Sequence, residues 1–238
     1  MGGVQGEDGR ALWRARWRAS WRARGRALWR ARWLMERVQL GELAGAAEAL
    51  GAEREAIAVY RRLAGTAPDV YLPELAGCLV SLGVTLSELG RHGEALQAER
   101  EAVSVYRGLA AVSPERFLAD LADTLINLGA TLVALGRADE ALRAEREAVT
   151  IYRRLAAAAP GVYRGDLAGV LVEVGTSLTG RGLPVEALPL VVEAVTLRRE
   201  LAAACPERHQ DGLAHAQSCL AAVLAALGSP ATGDQADG

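Results

Sequence analysis

Lysine is absent from this chain, and all 27 basic residues are arginine. That removes the phosphate-gripping lysine of a P-loop, every Schiff-base mechanism and every Ser–Lys dyad. There is no G-x-S-x-G elbow, no H-E-x-x-H helix and no G-x-G-x-x-G turn, so the familiar hydrolase, metalloprotease and dinucleotide fingerprints are missing too. Imidazole is scarce: His92, His209 and His215 are the only histidines. Phe117 is the only phenylalanine and Asn127 the only asparagine. The residues for catalysis or for a cofactor are not assembled, and neither is expected. Cys78, Cys205 and Cys219 are odd in number and lack a C-x-x-C spacing, the pattern of buried thiols in a reducing compartment. No apolar run follows Met1, which predicts no secretory leader and a cytoplasmic location. The longest charge-free stretch, 212–233, holds only about 15 residues of helical pattern, short of the ~20 that cross a membrane.

What is present is a repeat. Glu55-Ala-Ile-Ala-Val-Tyr-Arg61 returns as Glu101-Ala-Val-Ser-Val-Tyr-Arg107, as Glu147-Ala-Val-Thr-Ile-Tyr-Arg153, and in weaker form at Glu193–Arg199. Each step is 46 residues, and Pro68, Pro114, Pro160 and Pro206 keep it, as do Leu75, Leu121, Leu167 and Leu213. A fixed period of this size marks units that bury their apolar faces only against neighbours. Such an array favours a binding scaffold over an enzyme.

Each unit reads as two helices. Leu75, Leu79, Leu82, Leu86 and Leu89 form one stripe of a helix A, and Gly90 follows as a C-terminal stop. Glu94-Ala95-Leu96 opens a helix B with Ala98, Ala102, Val105, Tyr106 and Leu109 on its inner side, and Pro114 reads as its breaker. Gly83, Gly129, Gly175 and Ala221 share one slot of helix A, while Ala49, Ala95, Ala141 and Ala187 share one of helix B. A mid-helix glycine costs about 1 kcal/mol against alanine, so its recurrence implies close helix packing. The pattern predicts an all-α, right-handed solenoid of antiparallel helix pairs. It begins with a half repeat over 35–66, continues through repeats at about 70–111, 116–157 and 162–203, and closes with a terminal helix over 209–227. A disordered tail is expected at 229–238. The third unit departs most: Gly180-Arg181-Gly182-Leu183-Pro184 replaces a clean turn, and Pro189 inside helix B marks a joint expected to bend.

Charge is uneven. Residues 1–43 carry ten arginines against four acids, and residues 44–238 carry seventeen against twenty-five. The repeat body is mildly acidic and a poor match for nucleic acid. All five tryptophans lie in the basic head, where Gly9–Trp17 is duplicated as Gly25–Trp33. One reading makes Arg10–Arg32 an arm for nucleic acid or an anionic membrane. At about 100° per residue, however, Trp13, Trp17 and Trp21 point away from Trp29 and Trp33, and arginines occupy the full circle. Residues 1–34 read better as low-complexity sequence, helical or else an upstream region translated from too early a start codon, that can be deleted without unfolding the repeats, Met35–Leu43 being able to cap the array. A zinc reading of Cys205, His209, His215 and Cys219 fails because His209 and Cys219 lie ten residues apart on one expected helix, about 15 Å of rise.

The run Leu82-Gly83…Leu86…Gly90…Glu94-Ala95…Ala102 resembles the tetratricopeptide repeat, and the match recurs at Leu128-Gly129…Ala148 and Val174-Gly175…Ala194. The family's unit is usually 34 residues, so this longer one is similar to the extended kinesin-light-chain type. Glu99 and Glu145 stand where the family places an aromatic in helix B. The resemblance implies a protein-interaction module whose A helices line a concave groove for a partner peptide. Carried over from the Leu-Gly anchor, the groove slots are Val80, Val84, Ser87 and Glu88; Asp123, Ile126, Asn127 and Ala130; Val172, Glu173 and Thr176; and His215, Ser218 and Ala222. The A-helix stretches 75–90, 121–136, 167–180 and 213–228 contain no arginine, so the basic clamp that some members use on a terminal carboxylate is not expected. Valine, alanine and a few acids suit an apolar or mildly basic partner helix. Packing between neighbouring helices would place the same small residues there, so both readings stand for each position.

Overall fold

The computed structural model describes residues 46–228. The Arg/Trp head, with both readings of Arg10–Arg32 and the expected dispensability of residues 1–34, lies outside the described residues, as do the cap at Met35–Leu43 and the tail at 229–238. The described residues form eight α-helices and no strand: α1 Ala46–Ala64, α2 Pro68–Glu88, α3 His92–Val112, α4 Pro114–Ala134, α5 Ala138–Ala158, α6 Pro160–Gly180, α7 Pro184–Ala204 and α8 Pro206–Gly228. The even-numbered helices are the A helices of the repeat and the odd-numbered ones the B helices.

The A helices begin earlier than the stripe of leucines suggests. Pro68, Pro114, Pro160 and Pro206 are their first residues, not stops trailing the B helices. Proline suits a first helical position because its missing N–H would have no partner there and its φ is already helical. One residue separates B from A at Ser113, Ala159 and Cys205. Each leaves the helical region, with φ of −136°, −138° and −149° and ψ of 75°, 73° and 85°, clear of the α region that a following proline disfavours. Each still donates its N–H to the carbonyl four residues back, Leu109, Leu155 or Leu201, at 2.8–2.9 Å.

The A-to-B turns are alike in all three units. Gly90, Gly136 and Gly182 have φ of +70°, +72° and +75°. The next N–H, from Arg91, Arg137 or Leu183, closes on the carbonyl of Leu86, Leu132 or Leu178 at 2.8–2.9 Å. That is a Schellman cap, and it needs glycine at one position only. The third turn keeps that glycine and is therefore as clean as the others, contrary to the sequence expectation. Pro189 sits inside a helix that continues unbroken to Ala204.

The chain divides into two compact units, Met1–Ser113 and Pro114–Gly238. In the first, α2 packs against α1 and α3 around Leu50, Ile57, Tyr60, Leu63, Leu75, Leu79, Leu82 and Leu86. In the second, α4 to α8 pack each against the next, and α6 also touches the A helices α4 and α8. The pairs are antiparallel: Gly83 near the end of α2 meets Glu99 in the first half of α3, while Gly77 earlier in α2 faces Tyr106 further along α3. A Cβ on Gly83 would lie 2.7 Å from Glu99 Cγ, one on Gly129 would lie 3.0 Å from Glu145 Cγ, and one on Gly175 would collide with Val191. The shared glycine slot is thus the point of closest approach, and Ala95, Ala141 and Ala187 opposite are fully buried. Between successive B helices run ion pairs forty residues apart: Arg54–Glu94 and Arg61–Glu101 in the first unit, Arg146–Glu186 and Arg153–Glu193 in the second.

Two A helices, α2 and α4, are long and apolar enough to cross a membrane by length and composition, although each carries charges that break any long charge-free stretch. Their leucine stripes are packed against the neighbouring helices, with Leu79, Leu86, Leu125 and Leu132 at most 2% exposed.

Candidate functional site

The expected groove residues divide into two sets. In the first unit, Val80 and Ser87 on α2 are half-buried, while Val84 and Glu88 are exposed. In the second, Asp123 and Ala130 on α4, Glu173 and Thr176 on α6, and His215, Ser218 and Ala222 on α8 are exposed, and Asn127 is half-buried. Ile126 and Val172 do not line the face: they are 7% and 5% exposed. Each lies on the flank of its helix that turns into the packing, so a branched apolar side chain there is core.

The second unit concentrates negative charge on this face. Asp120 and Asp123 come from α4, Asp166 and Glu173 from α6. The phenol of Tyr152, reaching up from α5, donates a hydrogen bond to Asp123. Partial desolvation by the flanking helices raises the pKa of Asp123, and the Asp166 charge raises it further, against the lowering effect of the Tyr152 bond. Desolvation and Asp123 raise Asp120, with Arg116 opposing. Glu173 is raised by desolvation and by the charges of Asp123 and Glu145. Tyr152, desolvated and surrounded by these carboxylates, is pushed well above an ordinary phenol. An incoming cation would relieve all of these repulsions at once.

Glu99 and Glu145, which stand where the resembled family has aromatics, and Glu53, one 46-residue step before Glu99, are not part of this face. Glu53, Glu99 and Glu145 are 0%, 1% and 3% exposed. Glu53 accepts from Ser81 at 2.6 Å and Thr85 at 3.0 Å, and burial raises its pKa despite those bonds. Glu145 accepts from Ser177 and from Arg181, each at 2.7 Å. In the next step of the repeat, Val191 and Val223 replace the glutamate and its hydroxyl partner together, and both are buried. A donor and acceptor removed as a pair leave nothing unsatisfied. The coupled change of 191 and 223 is the sequence signal of this contact.

An arginine does reach the layer of A helices, although none lies within the stretches that line the face. Arg198 of α7 extends between Gly169 on α6 and Gly212 on α8. Elsewhere between the same two helices, Cys219 Sγ lies 3.6 Å from Thr176 Oγ1 and 3.9 Å from His215 Nε2. All three cysteines are free thiols, but only Cys78 is buried as expected: Cys205, the single residue between two helices, is exposed and Cys219 is half-buried. The Cys78 sulfur has its pKa pushed up to about 12, chiefly by desolvation. Among the described residues, no three His, Cys, Asp or Glu side chains are grouped to hold a metal ion.

Residues 75–110 and 121–156 each match the sequence profile of the tetratricopeptide repeat. The match to this family is carried by these two of the 46-residue repeats. They correspond to α2–α3 and α4–α5, the pairs whose turn and glycine slot carry the Leu-Gly signature. No curated protein sequence matches the chain. Among solved structures, the crystal structure of a Podosopora anserina putative kinesin light chain with nearly identical TPR-like repeats is similar at 16% identity. It covers 86% of this chain and 96% of that one, with a TM-score of 0.52. BtubC (BKLC) from P. vanneervenii is similar at 15% identity over 91% of this chain and 94% of that one, with a TM-score of 0.49. The first of these likenesses supports the tetratricopeptide-type fold and nothing finer.

Proposed function

We propose that the chain is a protein-interaction module, without catalysis, working in the cytoplasm, and that its second unit takes a partner helix with a basic residue on the face formed by α4, α6 and α8. One observation carries this reading: Asp120, Asp123, Asp166 and Glu173 are gathered on one face, where desolvation and neighbouring negative charge raise the pKa of Asp120, Asp123 and Glu173. The small residues beside them, Ala130, Thr176 and Ala222, leave room for a helix backbone to approach. Apolar anchors at i, i+3 and i+4 would supply affinity and the carboxylates would select the charge. Fluorescence anisotropy with two alanine-leucine helical peptides, one carrying lysines and one glutamates, tests it on the full chain. The lysine peptide should bind, and Asp123→Asn with Glu173→Gln should weaken it roughly tenfold, about the effect of one charge-assisted contact. Equal affinity for the two peptides, or no change in the double variant, would exclude this face as the site.

A further inference from the structure

Arg198 occupies the slot that Tyr152 holds one repeat earlier. Tyr152 reaches the A-helix layer between Asp123, its hydrogen-bond acceptor, and Asp166, whose charge also acts on it. One step of 46 residues onward, Asp123 becomes Gly169 and Asp166 becomes Gly212. The neutral phenol is thus replaced by a cation just where both carboxylates are deleted. The guanidinium fills part of the vacated space. A Cβ on Gly169 would lie 3.6 Å from its Nη2, and one on Gly212 would lie 3.0 Å from Nη1 and 3.3 Å from Nε.

No described residue pairs with it. Among the described residues Arg198 makes no hydrogen bond or ion pair, and its Nε is buried without an acceptor. Arg54, Arg61, Arg146, Arg153 and Arg181 in the same repeats are all ion-paired. The nearby Glu200 on α7 is engaged by Arg164 of α6 at 3.3 Å. A half-buried guanidinium with no acceptor has lost hydration without recovering it from the protein.

We propose that Arg198 binds a carboxylate side chain of the partner, entering between α6 and α8 over Gly169. The planar guanidinium takes a carboxylate in a two-point grip that neither a backbone carbonyl nor a hydroxyl reproduces. Gly169 leaves the space such a group needs, since a side chain there would cover Nη2. This deepens the reading of the acidic face and rests on it for the identity of the partner as a helix. Neighbouring A helices lie about 10 Å apart, which along a bound helix is about seven residues at 1.5 Å each. The partner therefore carries a basic residue for Asp123 and Glu173 and an acidic residue about two turns away for Arg198.

Two measurements on the full chain test the site. The first follows the Nε–Hε resonance of Arg198, assigned by its loss in Arg198→Gln, during titration with sodium acetate against sodium chloride at matched ionic strength. A saturating shift with acetate supports the site. In Gly169→Asp the new carboxylate should pair with Arg198 internally, so the shift should vanish and the melting temperature should rise. No acetate-dependent shift in the native chain overturns the proposal, whatever any peptide does. The second measurement uses helical peptides with lysine and glutamate seven residues apart, in both orders, and their Glu→Gln versions. Losing the glutamate should cost roughly tenfold in affinity for the native chain and nothing for Arg198→Tyr, which restores the residue of the preceding repeats. Equal losses in both proteins overturn the proposal. If acetate binds and no peptide does, Arg198 stands as a carboxylate site and the helix-binding reading of the face falls.

Discussion

Arg181 closes on Glu145 at 2.7 Å with only 11% and 4% of the two side chains exposed. The arginine stands where the earlier repeats carry Leu89 and Leu135. It turns inward to neutralise a glutamate that each of those repeats also buries. The irregular-looking turn of the third unit is in this sense an electrostatic adjustment on an unchanged backbone.

Removing one member of such a pair strands the other. Arg181→Leu should destabilise the second unit by about 3 kcal/mol, the usual scale for breaking a buried ion pair. Adding Glu145→Val and Ser177→Val copies the Val191–Val223 arrangement and should recover most of that loss, because no buried polar group is then unmatched. Urea denaturation midpoints of the single and triple variants check both statements. A single variant as stable as the native chain would mean that Arg181 contributes nothing to holding Glu145.

Helical glycines in this chain are not equivalent. In α3, a Cβ added to Gly108 would meet no atom within 4 Å, whereas one added to Gly83 in α2 would lie 2.7 Å from Glu99 Cγ. Gly108→Ala should stabilise by about 0.5–1 kcal/mol through helix propensity. Gly83→Ala should destabilise by about 1–3 kcal/mol through overpacking. Opposite signs in thermal denaturation are the expected result, and a gain for Gly83→Ala would show that Glu99 moves aside freely.

Much of this architecture is legible in the 46-residue step, because each helix pair repeats its own stripe and its own stop at Gly90, Gly136 or Gly182. The helix starts are not, because a proline after one helix and a proline opening the next leave the same sequence signature. Only the backbone shows that Pro114 is a first position and not a stop. On the candidate face, the Leu-Gly anchor leads to Asp123 and Glu173 but does not separate Ile126 and Val172 from them, since one residue turns a helix by about 100°. Arg198 escapes that route for a different reason: it lies on a B helix and reaches the A layer only through its length and two distant glycines. Its signal is the exchange of tyrosine for arginine together with two aspartates for glycines.

The ion pairs between B helices invite overvaluation. Arg153–Glu193 leaves 47% and 35% of its side chains exposed, and Arg146–Glu186 leaves 66% and 40%. In water such pairs contribute about 0–1 kcal/mol each. Glu186→Ala and Glu193→Ala should each change stability by less than about 1 kcal/mol, with the difference shrinking as salt rises. A loss as large as that of Arg181→Leu would show that the pairs act as a coupled network along the array.

Stability should fall as pH rises above the carboxylate range. Glu53, Asp120, Asp123 and Glu173 all have raised pKa values in the folded chain, each with desolvation as the largest cause. Between the unfolded value, near 4, and the raised folded values, the native state holds more protons than the unfolded chain. By linkage, stability then decreases with increasing pH. The contribution of these groups is fully present below the unfolded pKa and is lost as pH passes through the folded ones. Melting temperature at constant ionic strength should therefore be higher near about pH 5 than near about pH 8, just above and well above the ordinary carboxylate range. Glu53→Gln keeps an acceptor for Ser81 and Thr85 while removing the charge, and should flatten part of the slope. Asp123→Asn with Glu173→Gln should flatten more of it, because the Asp123 charge also raises Glu173. A melting temperature that climbs from pH 5 to pH 8 would mean that these carboxylates are stabilised as anions in the folded chain, and that the acidic face has no unmet demand for a cation.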